Sequence, residues 1–94
     1  MEGHVIHRPA SKKFLMRLGP GKFAYLSYEI KGGKMYILST YTPEEFRGRG
    51  IAAELTREAL EYARREGLKV VPACSYTKRF LEKNKEYSSL VVEG

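Results

Sequence analysis

Two arginines and two glycines alternate at positions 47–50, between an apolar run and a segment with helical periodicity. Gly48 and Gly50 can adopt positive φ and let another group approach the main chain closely. The first N–H groups of the following helix have no carbonyl partner and carry the positive end of its dipole. Arg47 and Arg49 would repel that end unless an anion lay between them. The pattern predicts a phosphate or diphosphate site; the alternative is a structural loop with the two arginines as a solvated pair.

Three known loop patterns bind such phosphates. The lysine-bearing loop of nucleotide hydrolases, Gly-x-x-x-x-Gly-Lys-Ser/Thr, does not occur in the chain. The dinucleotide fingerprint is met by Gly48, Gly50 and Ala53, but it belongs to a fold of repeated strand-helix-strand units, and the chain has room for one. A third pattern, Gln/Arg-x-x-Gly-x-Gly/Ala, is met in full by Arg47-Gly48-Arg49-Gly50-Ile51-Ala52.

Through this third pattern the chain resembles the GNAT superfamily of acetyl-CoA-dependent N-acetyltransferases. The similarity extends from about His4 to Leu90 and is closest to a minimal GNAT-like subfamily of short domains. It includes the order of elements, the run Thr-x-x-Pro-Glu-x-x-Arg-Gly-x-Gly-Ile that starts at Thr40, a Gly-Leu-Lys-Val strand and the single Cys74. The resemblance implies an α+β (α/β) fold in one domain over residues 1–94. That fold is a mostly antiparallel sheet with one central parallel β-α-β unit and a short C-terminal helix.

The resemblance also implies acetyl-CoA, or coenzyme A, as the cofactor. In GNAT families the strands flanking the crossover splay apart, and the pantetheine arm enters the gap. Carried over to this chain, the pantetheine contacts the main chain of Tyr41 and Thr42. The diphosphate contacts the main chain of Arg47, Gly48, Arg49, Gly50, Ile51 and Ala52.

Two catalytic positions of the family differ here. Acetyl transfer requires a deprotonated amine, a polarised thioester carbonyl and a proton for the departing thiolate. Many GNAT enzymes take that proton from a tyrosine in a segment resembling Phe-Tyr-Glu-Lys, whereas this chain has Phe-Leu-Glu-Lys at 80–83. Tyr41 stands where the minimal subfamily often has Glu, so a carboxylate base is lost from that position.

Cys74 and Tyr76 are the catalytic candidates that remain. Cys74 follows a predicted strand and precedes a predicted helix, whose N-terminus lowers a thiol pKa. It accepts the acetyl group as a nucleophile, assists proton transfer, or is a small buried hydrophobe. Tyr76 donates a proton to the thiolate or is a core aromatic. Lys78 and Arg79 place cations in the same helical turn and are predicted to contact the cofactor.

His4 and His7 are a third candidate pair. They are predicted to share one face of the first strand, where they would act as a base or a metal pair. No third ligand is evident, which favours a structural role. The sequence therefore predicts no metal site.

A small sheet must position these residues. Alternation and turn residues predict strands at 4–7, 13–18, 22–30, 35–38 and 68–71, with a hairpin at Gly32-Gly33. The run 35–38 is typical of a strand covered on both faces. A helix is predicted at about 49–66, and a shorter one with Ser75 as its N-cap. The tail 87–92 packs back or pairs as an edge strand. The stripe predicted to be buried on the long helix is Ala52, Leu55, Ala59 and Ala63.

Composition narrows the function classes. A chain of 94 residues fits one domain, and no run is long enough for a membrane span. The lack of a signal-peptide stretch and the single cysteine predict a cytoplasmic location. The charge of +6 suggests an acidic ligand; the phosphates of one CoA account for much of it, so nucleic acid is the less favoured partner. Glu is the only acidic residue and Gln is absent, which resembles a heat-adapted (thermophilic) composition.

Three functions remain open at this point. The first is an acetyl-CoA-dependent N-acetyltransferase that acts on a primary amine, such as a lysine side chain or a small amine. The second is a CoA-binding module with little or no catalysis. The third is a basic nucleic-acid-binding domain. A monomer or weak dimer is expected, and no sequence feature identifies the amine acceptor.

Overall fold

The computed structural model describes residues 4–93. It forms one five-stranded sheet in the order β1-β2-β3-β4-β5, in which β1 to β4 are antiparallel and β5 runs parallel to β4. This confirms the predicted fold class, with a single parallel unit at one side of the sheet. The strands are β1 (Val5–Arg8), β2 (Lys13–Gly19), β3 (Lys22–Lys31), β4 (Lys34–Tyr41) and β5 (Lys69–Pro72).

Two helices follow the antiparallel part of the sheet. Helix α1 (Ile51–Glu66) connects β4 to β5, and α2 (Ser75–Lys83) follows β5. Short 3₁₀ segments lie at Glu44–Phe46 and Lys85–Leu90. The hairpin between β3 and β4 is the predicted one, since Gly32 and Gly33 have φ of 54° and 76° and can supply the positive φ values of a tight turn. Among residues 4–93, neither helix has the length and apolar character needed to cross a membrane.

Both helices pack on the same face of the sheet and bury the core against it. On α1 the predicted stripe is right for Leu55, Ala59 and Ala63, which are fully buried. Ala52 is only half-buried, while Ile51 and Leu60, which do not belong to the predicted stripe, are buried. The strands contribute Phe14, Met16, Ala24, Leu26, Tyr28, Met35, Ile37 and Val70.

The second face of the sheet is open. The prediction that β4 is covered on both faces is wrong: Met35 and Ile37 are fully buried, but Tyr36 is half-buried and Leu38 is 45% exposed. Within residues 4–93 both helices lie on the core side. The continuous apolar run therefore arises because aromatic and aliphatic side chains also occupy the open side, where alternation would place polar ones.

The start of α2 and the tail differ in detail from the predictions. Cys74, not Ser75, is the N-cap: it has extended dihedrals of −92° and 133°, and its carbonyl accepts the first helical bond from Lys78 N–H at 3.1 Å. The tail does both things predicted as alternatives. Tyr87 is buried, and Val92 N–H donates to the Val70 carbonyl at 2.9 Å.

The two N-terminal histidines do not share a face, so that prediction is wrong. Side chains three residues apart on a strand point to opposite faces. His4 lies before β1 and is exposed, whereas His7 stacks on Phe14 with ring centroids 4.1 Å apart. His7 Nε2 lies 2.6 Å from the Tyr28 hydroxyl. Within residues 4–93, no three His, Cys, Asp or Glu side chains lie close enough together to hold a metal ion.

Candidate active site

Strands β4 and β5 separate before β4 ends. Their pairing stops at Ile37 and Pro72, while β4 continues to Tyr41. Leu38 is an extra residue in β4, because Tyr28 pairs with Ile37 and the preceding Ser27 pairs with Ser39. Such a bulge bends its strand. The parallel strands thus leave a gap at their carboxyl ends, the edge at which α/β units bind ligands.

The chain leaves this gap through the glycine loop and enters α1 with its first amides uncapped. Gly48 and Gly50 have φ of 83° and 78°, so the loop uses the conformation that glycine permits. Gly50 is the N-cap of α1 and has no side chain to accept from the helix. The first helical bond runs from Glu54 N–H to the Gly50 carbonyl at 3.0 Å. The N–H groups of residues 51–53 therefore have no partner in the helix.

A cleft of about 240 Å³ lies over this end of α1. Its walls contain most of the residues that the sequence predicted for the cofactor, together with Tyr76 from α2. Phe46 and Ala53 also line it and were not predicted, since the sequence pattern places no requirement on either position. The lining residues are Thr42, Phe46, Arg47, Gly48, Gly50, Ile51, Ala52, Ala53 and Tyr76.

The two arginines of the loop have different surroundings. Arg47 lines the cleft and its Nε donates to the Thr42 carbonyl at 3.0 Å, which ties the loop to the end of β4. The Arg49 guanidinium lies over the Phe46 ring, 5.0 Å from its centroid. The helix end and Arg47 therefore contribute positive potential to the cleft, and Arg49 packs on the ring of a residue that lines it.

Cys74 faces the gap from its other side. Its Sγ lies 3.9 Å from Thr40 Oγ1, across the separation between the strands. Burial alone raises the pKa of this thiol, but the N–H groups of Thr77 and Tyr76, then the hydroxyls of Thr40 and Thr77, outweigh burial and lower it from its ordinary value. The Thr77 hydroxyl is fully buried and makes no hydrogen bond of ordinary length within the described chain. The two N–H groups and the Thr40 hydroxyl thus favour the thiolate, and the Thr77 hydroxyl makes the smallest contribution.

Tyr76 is the complementary group. It is half-buried and lines the cleft. Burial raises its pKa; Arg57 and Arg79 oppose that shift in part, and Cys74 adds to it. The phenol is therefore protonated at neutral pH and can donate a proton. Leu81, which stands where the family's usual tyrosine would be, packs against the core.

The remaining predicted residues lie outside the cleft. The Tyr41 ring is 44% exposed on the open side of the sheet, 5.5 Å from the Tyr25 ring, so only its main chain borders the gap. Lys78 lines a separate groove with Val71, Pro72 and the tail. Arg79 is exposed on α2 and acts on Tyr76 through its charge.

Sequence reasoning missed Thr40, Thr77 and Arg57. A threonine on a strand or in a helical turn does not by itself indicate a functional role. The position of Thr77, three residues after the N-cap, was the available hint, because that position reaches back toward the cap.

Comparisons with known proteins identify the family of the chain. The family of GCN5-related N-acetyl-transferases matches residues 13–90. Protein NATD1 of Xenopus tropicalis is 37% identical over 82 residues, which cover 85% of this chain and 75% of the relative. The Homo sapiens NATD1 is 35% identical over 82 residues, which cover 85% of this chain and 73% of that relative.

A solved structure shows the same fold. The NMR structure of a GCN5-like protein from Staphylococcus aureus superposes with a TM-score of 0.77. The match covers 97% of this chain and 89% of that one, at 24% identity. With the glycine loop, the diverging strands and a family match over most of its length, the chain belongs to the GCN5-related N-acetyltransferase family.

Proposed function

We propose that the protein is an acetyl-CoA-dependent N-acetyltransferase that acts on a primary amine, either a lysine side chain or a small amine. The observation that carries the proposal is the uncapped N-terminus of α1, which opens into a cleft next to the gap between β4 and β5. Uncapped helix amides behind glycines of positive φ form a site for a phosphate or diphosphate.

The residues present fit coenzyme A. The N–H groups of residues 51–53 and the Arg47 guanidinium would hold the diphosphate, while Phe46 and Ala53 supply apolar wall. The main chain of Tyr41 and Thr42 would hold the pantetheine at the strand edge that β5 leaves unpaired. When bound, the thioester supplies the acetyl group. The uncapped helix end and the cleft beside it support acyl transfer more directly than the basic charge alone does.

The chain's own residues divide the proton chemistry between them. The lowered pKa of Cys74 favours a thiolate, which serves either as acetyl acceptor or as proton acceptor for the incoming amine. The raised pKa of Tyr76 keeps its proton available for the departing thiolate. Two neighbouring groups whose pKa values are shifted in opposite directions form a natural base and acid pair.

One observation favours the second candidate, a CoA-binding module with little catalysis. Among residues 4–93 no carboxylate lines the cleft, and Leu81 stands at the position of the family's tyrosine. Direct attack by an amine would then depend on Cys74 and Tyr76 alone.

Release of free CoA tests the proposal. The protein is incubated with acetyl-CoA and a panel of amines, such as lysine peptides, polyamines and aminated small molecules, and free thiol is measured. Thermal protection by acetyl-CoA is measured in parallel. We expect protection, and release that depends on at least one amine. Protection without release for any amine would favour the binding module, and the absence of both would overturn the proposal.

A further inference from the structure

Basic residues of the chain lie on more than one surface. Arg47, Arg57 and Arg79 lie around the cleft or act on Tyr76. A second group lies on the side of the sheet that no helix covers. We define the open face as the outward side chains of the five strands: Ile6, Arg8, Lys13, Leu15, Arg17, Phe23, Tyr25, Ser27, Glu29, Lys31, Lys34, Tyr36, Leu38, Ser39, Tyr41, Lys69 and Val71. The lysines and arginines of the open face do not line the cleft.

Like charges are aligned across one end of the open face. Lys31 pairs in register with Lys34, which pairs in register with Lys69 on β5. Like charges directly opposite on neighbouring strands destabilise a sheet. Within residues 4–93, none of these lysines forms an ion pair with a carboxylate. Lys69 Nζ donates to the Ser89 carbonyl at 3.2 Å, and the nearby Glu29 is paired with Lys12 at 2.8 Å. An anion at this end of the sheet would relieve the repulsion.

Aromatic rings lie on the same surface. Tyr25 and Tyr41 occupy adjacent strands with centroids 5.5 Å apart, and Tyr36 follows at the lysine end. Phe23 is 43% exposed, and Lys13 Nζ lies 5.7 Å from the centroid of Tyr25. Tyr25 and Tyr36 are half-buried, and Tyr41 is 44% exposed. Rings on the solvent side of a sheet can serve as stacking platforms for unpaired bases.

We propose that the open face binds single-stranded nucleic acid, with bases on the tyrosines and phosphates on the flanking lysines and arginines. The proposal is independent of acetyl transfer. It also departs from the sequence-based expectation that one CoA accounts for much of the basic charge. The aligned lysines count against a second copy of the chain as the occupant, because two such faces would repel each other. Duplex is disfavoured because its bases are already stacked.

Fluorescence anisotropy tests the proposal. The probes are labelled RNA and DNA single strands of about 12 nucleotides, within the range of known single-strand sites, and the matching duplexes. Two variants remove the proposed binding groups: Tyr25→Ser with Tyr36→Ser, and Lys31→Gln with Lys34→Gln. The control is Lys83→Gln with Lys85→Gln. It makes the same charge change at two exposed positions that do not belong to the open face.

We expect the single strands to bind more tightly than the duplexes, with an affinity that saturating CoA leaves unchanged. The tyrosine variant should weaken binding at least about fivefold, since stacking on one ring contributes this much. The lysine variant should reduce the slope of log affinity against log salt by roughly 0.7 for each phosphate that it no longer neutralises. The control variant should retain both the affinity and the slope.

Several results would overturn the proposal. One is that the wild-type chain does not bind single strands at low salt. Another is that the lysine variant and the control variant lose affinity equally. A third is that the chain binds phosphatidylserine vesicles but not oligonucleotides. Should a variant fail to fold, amide chemical shifts of the wild-type chain decide: oligonucleotide must perturb β2, β3 and β4 on the open face, and shifts confined to residues 47–53 would contradict it.

Discussion

The positive end of the helix dipole is directed at different groups in α1 and α2. Both helices begin next to the gap between β4 and β5, and neither has an oxygen-bearing N-cap. Gly50 leaves the first amides of α1 open to the cleft. Cys74 instead presents a sulfur to the first amides of α2, where Tyr76 and Thr77 lower its pKa.

The difference shows how one residue at the N-cap decides where the positive end of a helix acts. A glycine with positive φ directs that end toward an external anion. A cysteine with extended dihedrals directs it toward its own thiol. We infer that α1 binds the cofactor and that α2 activates the group that reacts near it. Mutations at the two helix ends should therefore change different properties of the protein.

The largest effect should follow loss of the thiol. Cys74→Ala is expected to lower acetyl-transfer turnover at least about 100-fold, the usual scale for a lost acid-base or nucleophilic group. The affinity for acetyl-CoA, measured by calorimetry, should be unchanged because α1 is intact. Unchanged turnover with a good amine substrate would show that the thiol is not required.

A side chain at the start of α1 should weaken acetyl-CoA binding. Gly50→Ala forces a Cβ into a backbone with φ of 78° and should lower the free energy of unfolding by about 1 kcal/mol. It should also weaken acetyl-CoA binding roughly tenfold, as main-chain bonds to the diphosphate are distorted. Gly32→Ala is the matched control, because Gly32 also has positive φ but lies in the β3-β4 hairpin. Equal affinity in both variants would contradict a diphosphate at α1.

The environment of α2 should appear in the pH profile of thiol alkylation. A lowered pKa means that the thiolate persists to lower pH than in a free cysteine and is lost as pH falls through the folded-state value. Thr40→Val and Thr77→Val each remove a hydroxyl that lowers the pKa, so each should move the alkylation profile to higher pH. Because the Thr77 hydroxyl lacks an ordinary hydrogen bond, Thr77→Val should not reduce thermal stability. Profiles identical to the wild type would assign the shift to the main chain alone.

The smallest effect concerns Ser75. Since Cys74 is the N-cap of α2, Ser75→Ala should change the free energy of unfolding by less than about 0.5 kcal/mol. A true serine N-cap would cost about 1 kcal/mol when replaced by alanine. Urea denaturation distinguishes the two. A destabilisation near the larger value would mean that Ser75 caps the helix in solution.

The sequence was most informative where local geometry requires a particular residue. The glycines of the β3-β4 hairpin and of the loop before α1 have the positive φ that only glycine adopts readily, so both were predictable. The parallel β-α-β unit formed by β4, α1 and β5 was implied by the family resemblance. Thr42, Arg47, Ala52 and Tyr76 meet in one cleft because that loop and α2 lie at the same edge of the sheet.

Features that depend on the absence of a neighbour were not predictable. Tyr36 and Leu38 have the composition of a strand covered on both faces. Only the absence of a second helical layer within residues 4–93 leaves Leu38 exposed and Tyr36 half-buried. The bulge at Leu38 shifts the register by one residue, and no residue type marks it. Thr40 approaches Cys74 across 34 positions in sequence, through that bulge and the divergence of β5.

Amide chemical shifts of the labelled chain during titration with acetyl-CoA test the central claim most directly. We expect saturable shifts that are largest for Gly48, Gly50 and residues 51–53. S-acetylpantetheine, which lacks the diphosphate, should shift only residues near Thr40 and Cys74. No shifts at saturating acetyl-CoA, or shifts that leave the start of α1 unaffected, would contradict the assignment of that helix end to the diphosphate.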